Sequence, residues 1–146
     1  MLKTFVTPDH VDVVESVADW QEAVRLCARP LLDGGFIEDR YVQKIFDEYE
    51  NTGPYFVVAP GIAMPHARPE DGVHKRGLSL LVVRKGVSFG CDNDPVRIVA
   101  MLCATDRESH VKTLSSLAEM LGDAETVVAL SQATHASEVF DLIRSF

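Results

Sequence analysis

Apolar and polar residues alternate from Val11 to Val17, with Asp12 and Glu15 between valines, and this period-two pattern with β-branched residues predicts an edge or half-buried strand. The period then changes. Trp20, Val24, Cys27 and Leu31 recur at helical spacing behind Asp19, and Glu22 stands three residues after Asp19 as in a capping box. The pattern predicts a helix disturbed near its end by Pro30 and closed at Gly34-Gly35. A second helix is expected from about Asp39, carried by Tyr41, Ile45, Phe46 and Tyr49 and stopped by Asn51-Thr52-Gly53-Pro54.

Beyond Pro54 the apolar residues come in short unbroken runs: Tyr55 to Ala59, Leu78 to Val83 and Val96 to Ala104. Continuous rather than alternating runs suit strands covered on both faces, so helices are expected on either side of the sheet. Thr105-Asp106-Arg107-Glu108 reads as a capping box opening a helix with an apolar stripe of Val111, Leu114, Leu117 and Leu121, ended at Gly122. Two more helices are expected over Asp123 to Ala133 and Ser137 to Ser145. The fold class that follows is α/β, with a sheet between helical layers. No repeat or linker divides the chain, so residues 1–146 are expected to form one domain.

With 146 residues, 47% of them hydrophobic and 25% charged, the chain can bury a core. It has no apolar run long enough to span a bilayer and no secretory leader, which points to the cytoplasm. Three cysteines without a C-x-x-C spacing indicate neither a disulfide scaffold nor a zinc knuckle, and buried free thiols are expected. A net charge of -8 argues against non-specific binding to nucleic acid or to an anionic membrane.

The candidate chemistry centres on His66, set between prolines in Gly61-Ile62-Ala63-Met64-Pro65-His66-Ala67-Arg68-Pro69. Proline restricts its own φ and the residue before it, so the imidazole is presented on stiff backbone. Neutral imidazole is a nucleophile near neutral pH, and Arg68, Lys75 and Arg76 are cations within reach of any anion it meets. A metal site built from His66, Glu70, Asp71 and His74 is the weaker alternative, because Pro65, Pro69 and Gly72 deny these residues a shared helix. No Gly-x-Ser-x-Gly elbow, Walker loop or kinase signature is present. A histidine can nonetheless accept a phosphoryl group directly if one ring nitrogen is unprotonated, the other is held and donors surround the oxygens. His110, in the first turns of a capped helix, is the best second member, beside free N–H groups that favour an anion. The residues alone leave a bland reading for each histidine: His66 as a turn filler and His110 as a half-buried neighbour of the core.

The motif Gly61-Ile62-Ala63-Met64-Pro65-His66 resembles the phosphorylation motif of enzyme IIA components of the bacterial sugar phosphotransferase system, fructose and mannitol type. The segments Gly53 to Gly61, His66 to Val73 and Asp92 to Val96 look closest to the ascorbate-specific branch. The resemblance implies a three-layer α/β/α sandwich with a mixed sheet, in the order β-α-α-β-β-β-α-α-α. It implies that His66 accepts a phosphoryl group, as a tele-phosphohistidine, from the carrier protein HPr and passes it to a cysteine of a cognate enzyme IIB. That IIB works with a membrane enzyme IIC. His110 matches the second active-site histidine, which orients or stabilises the phosphoryl group. The relay needs no metal or organic cofactor. Many relatives carry an arginine before the motif, but this chain has none between Arg40 and Arg68. Arg68 and backbone N–H groups are expected to stabilise the phosphoryl charge instead, while Met64 and Ile62 are candidates for the apolar centre of the docking patch. A regulatory module whose His66 phosphorylation controls a regulator or transporter is the competing reading.

Overall fold

A computed structural model describes residues 2–4 and 6–146. Its elements are β1 (Val11–Val14), α1 (Trp20–Asp33), α2 (Asp39–Thr52), β2 (Val57–Ala59), β3 (Ile62–Ala63), β4 (Gly77–Val87), β5 (Val96–Cys103), α3 (Arg107–Leu121), α4 (Ala124–Ser131) and α5 (Ala136–Ile143). The sheet order is β1-β4-β5-β3-β2. β1 runs parallel to β4 and β3 parallel to β5, whereas β4/β5 and β2/β3 are antiparallel, so the sheet is mixed as expected.

Side chains alternate across the central strands and fill two separate cores. Leu81, Val83, Val99, Met101 and Cys103 pack with α1 and α2 residues such as Val24, Leu31 and Ile45. Leu78, Leu80, Val82, Ile98, Ala100 and Leu102 face the other way, onto Leu117, Met120, Leu130, Val139 and Ile143 of α3 to α5. Burial on both sides explains why β4 and β5 read as unbroken apolar runs, and it makes the three-layer sandwich. β1 is an edge strand, with Val11 buried, Asp12 exposed and Val13 and Val14 half-buried. Cys27 and Cys103 are buried free thiols, raised by burial to about 11 and about 12; Cys91 is half-buried.

The helix signals translate into bonds. Asp19 Oδ1 accepts the Glu22 N–H at 2.8 Å, while Glu22 Oε1 takes the Ala18 N–H at 3.1 Å, one residue earlier than a strict capping box. α1 runs on through Pro30 to Asp33. Gly53, at φ 82, closes α2 by donating to Tyr49 O at 2.7 Å.

Three details differ from the pattern-based expectation. A fourth strand in the middle of the chain, β3, gives the order β-α-α-β-β-β-β-α-α-α; two residues are too few to show a period. The cap of α3 is Asp106 rather than Thr105, because the Asp106 carboxylate accepts the Ser109 N–H at 2.8 Å. The buried face of α3 is correspondingly Thr113, Leu117, Met120 and Leu121, and Val111 is 53% exposed.

Candidate functional site

The β2–β3 hairpin delivers His66. Its turn needs Gly61, whose φ is 79 and whose N–H and C=O are tied to the β4–β5 region: Gly61 N–H donates to Asn93 O, and Gly61 O accepts from Arg97 and Ile98. Met64 continues the ladder by donating to Phe56 O at 2.8 Å, and Pro65 then ends the pairing because it has no N–H. His66 follows as a half-buried side chain.

Its imidazole is oriented by its own loop. Nδ1 lies 2.7 Å from Met64 O, and a carbonyl only accepts, so Nδ1 carries a proton and in the neutral ring Nε2 keeps its lone pair. The flanking backbone is held as well. Tyr55 donates its hydroxyl to His66 O at 3.2 Å, and the Ala67 N–H donates to the Tyr41 hydroxyl at 3.0 Å. Arg68 N–H and Asp71 Oδ2 pair at 2.9 Å to open the short 3-10 turn Pro69–Asp71.

The His66 ring faces a cavity of about 770 Å³ with three walls. One is the His66 to Asp71 loop. The second is the start of α3, with Thr105, Asp106, Arg107 and His110, and the third is α2 with Lys44 and Glu48, which form an ion pair at 3.1 Å. The His66 and His110 ring centroids are 5.2 Å apart with the planes inclined at 50°. Among the described residues His110 Nδ1 is buried without a hydrogen-bond partner. A stranded N–H costs more than a stranded lone pair, so the His110 proton belongs on Nε2. Burial, with His66 second, lowers the His110 pKa below its ordinary value and keeps the ring neutral. The two imidazoles are thus complementary: His66 Nε2 is an acceptor or nucleophile and His110 Nε2–H a donor.

The family model of the phosphoenolpyruvate-dependent sugar phosphotransferase system, EIIA 2, matches residues 4–146. The chain belongs to this family.

As an EIIA 2 protein it is a phosphotransferase component that carries phosphoryl groups in sugar transport. It is 42% identical over 126 residues to an ascorbate-specific EIIA component of Escherichia coli K12, covering 85% of this chain and 82% of that protein. It is 37% identical over 142 residues to the mannitol-specific cryptic enzyme IIA component of the same organism, covering 97% of each. The solution structure of the E. coli cryptic mannitol protein superposes with a TM-score of 0.91 at 36% identity, over 100% of both chains. A complex of E. coli mannitol IIA with phosphorylated IIB matches at TM-score 0.83 and 28% identity, over 97% of this chain and 98% of that one. The two curated relatives thus differ in specificity, one for ascorbate and one for mannitol.

Of the residues singled out in the sequence, His66, Arg68 and His110 line one cavity. Lys75 and Arg76 do not: Lys75 Nζ sits 4.7 Å over the Phe36 ring, and Arg76 Nε donates to Thr113 Oγ1. His74 pairs with Glu38 at 3.0 Å, and the described residues contain no group of three His, Cys, Asp or Glu side chains placed to hold a metal ion. Met64 and Ile62 are each only 4% exposed and pack into the α3 to α5 core, so they are not docking residues. The exposed apolar groups here are Tyr55, 40% exposed in the cavity wall, and Val111 next to His110. Sequence reading passed over Tyr41, Lys44, Tyr55 and Arg107. The signal for the first two was present, since Tyr41, Lys44 and Glu48 share one face of α2 at spacings of three and seven.

Among the described residues no helix is long and apolar enough to cross a membrane.

Proposed function

We propose that His66 is the phosphoryl acceptor of this EIIA protein, through Nε2. The observation that supports this is the 2.7 Å bond from Nδ1 to Met64 O, which leaves the Nε2 lone pair for the cavity that His110 shares. Nε2 attacks the phosphorus of the phosphohistidine on HPr in line; the new N–P bond forms as the donor's N–P bond breaks, and the donor nitrogen recovers its electron pair. A cysteine thiolate of enzyme IIB then attacks the same phosphorus, forming an S–P bond, and His66 Nε2 regains its lone pair. His66 Nδ1–H stays on Met64 O throughout. The solved complex of the mannitol relative with phosphorylated IIB supports the second partner.

His110 contributes its Nε2–H to the phosphoryl oxygens. Arg68 supplies positive charge from the loop wall, and Lys44 and Arg107 add cations from the other two walls. Glu48 holds Lys44 in place until the phosphoryl group arrives. Tyr55 and Val111 replace Met64 and Ile62 as the apolar part of a docking face used by both partners in turn, with an expected interface of about 1,200 Å². The protein works in the cytoplasm beside a membrane IIC that binds the sugar.

The test is transfer from phosphoenolpyruvate through enzyme I and HPr. Wild type acquires an acid-labile label and His66→Ala acquires none; a label that persists in His66→Ala refutes the assignment. Adding IIB proteins of the ascorbate and mannitol systems identifies the acceptor, and discharge by neither favours a regulatory role.

A further inference from the structure

We infer that Tyr41 is a positioning residue for phosphoryl transfer, because its hydroxyl ties the peptide after His66 to the central sheet. The inference rests on His66 being the acceptor.

Tyr41 lies in the first turn of α2 and is fully buried. Its hydroxyl is 2.7 Å from Leu102 O on β5 and 3.0 Å from Ala67 N, and it is also 3.3 Å from Ala67 O. One hydroxyl has one proton, and the shortest contact takes it, so Tyr41 donates to Leu102 O and accepts the Ala67 N–H. A single oxygen therefore joins three elements: helix α2, strand β5 and the His66 loop. Burial raises the Tyr41 pKa far above neutrality, so this proton stays in place at working pH.

The loop needs such an anchor. Pro65 has no N–H to donate, and among the described residues the hydrogen bond of the His66 side chain goes to Met64 O, two residues back. That bond ties the ring to Met64, which the Phe56 carbonyl holds on the strand side, and does not fix the peptide on the far side of His66. Tyr41 supplies the link to the rigid sheet, and Tyr55 adds a more exposed one at His66 O. In-line transfer occurs twice per cycle with different partners, so Nε2 must keep one direction relative to His110, and small displacements of a reacting atom carry large rate penalties.

Tyr41→Phe keeps the buried ring and removes the anchor. In single-turnover transfer from phospho-HPr, the variant should lose about 10- to 100-fold in maximal rate with an unchanged half-saturating donor concentration, because docking residues are untouched. Nitrogen-15 spectra should show the same Nδ1–H form of His66 in both proteins, because its bond to Met64 O is kept, while the Ala67 amide of the variant exchanges faster. A maximal rate within twofold of wild type overturns the inference. Wild type gives an independent check that needs no variant: the Ala67 amide should exchange as slowly as amides of β5, and exchange at the rate of an open loop overturns the inference too. The phosphocarrier reading fails separately. If His66→Ala still takes the label, that reading falls, while the Ala67 protection still reports on the anchor.

Discussion

Two cavities of similar size each contain a histidine whose Nδ1 meets a backbone carbonyl, and they differ in what the other ring nitrogen can reach. In the larger, about 840 Å³, His10 Nδ1 lies 3.2 Å from Leu78 O, the ring packs edge-on to Phe36 at 5.1 Å, and only 4% of the residue is exposed. In the smaller, about 770 Å³, His66 Nδ1 lies 2.7 Å from Met64 O, the side chain is half-buried and a second imidazole stands across the space. Cavity volume does not separate them, and neither does the local hydrogen bond. The difference is a second titratable ring and an approachable Nε2, features that a nucleophile needs and a core histidine lacks.

The largest test of this contrast is covalent. His66→Ala should lose the label entirely, whereas His10→Ala should label at the wild-type rate and instead lose about 1 to 3 kcal/mol of stability in chemical denaturation, from the emptied core position and the unpaired Leu78 carbonyl. A His10 variant that fails to label while folded would erase the distinction. Next in size is the second ring. His110→Ala should retain label but pass it to IIB about 10- to 100-fold more slowly, and unchanged rates in both half-reactions would remove its role. Arg68→Ala should cost less, about threefold to tenfold, because an exposed cation is screened; the deficit should shrink in high salt, and a salt-independent loss would point to folding instead.

The smallest effect is on pH dependence. The folded pKa of His110 lies below its ordinary 6.5, so between those values the unfolded chain binds more protons than the folded one. Stability therefore rises with pH through that window and is lost as pH falls below about 6.5. Replacing His110 with Asn should flatten this slope between pH 5 and 7.5. Equal slopes in the two proteins would show that the ring is not held neutral by the fold.

Much of the architecture could be read in advance because its signals are local or strongly periodic. Asp19 and Glu22 mark a helix start by their spacing, Gly53 marks a stop by its tolerance of positive φ, and β4 and β5 show two-sided burial as unbroken apolar runs. The misplaced details lie where local signals compete or fall silent. Thr105 and Asp106 are both acceptable caps, and only the backbone direction leaving β5 chooses between them. Val111 fits an apolar stripe by spacing, yet the face that packs inward is that of Thr113, Leu117, Met120 and Leu121, and Val111 is left exposed. Ile62 and Met64 could equally have been surface or core, and a two-residue strand buried them.

The sequence by itself determined how stiffly His66 is held, because the prolines around it act on their immediate neighbours through covalent geometry. It also determined the layers, since helical and strand periods are properties of the chain. Only the tertiary structure decided what His66 faces. Lys44 and His110, 22 and 44 residues away along the chain, reach its cavity, and Tyr41, 25 residues away, reaches its loop, because α2 and α3 pack on opposite faces of one sheet and meet at its end. Which proton sits on which imidazole was decided there as well, by a carbonyl at 2.7 Å in one case and by burial without a partner in the other.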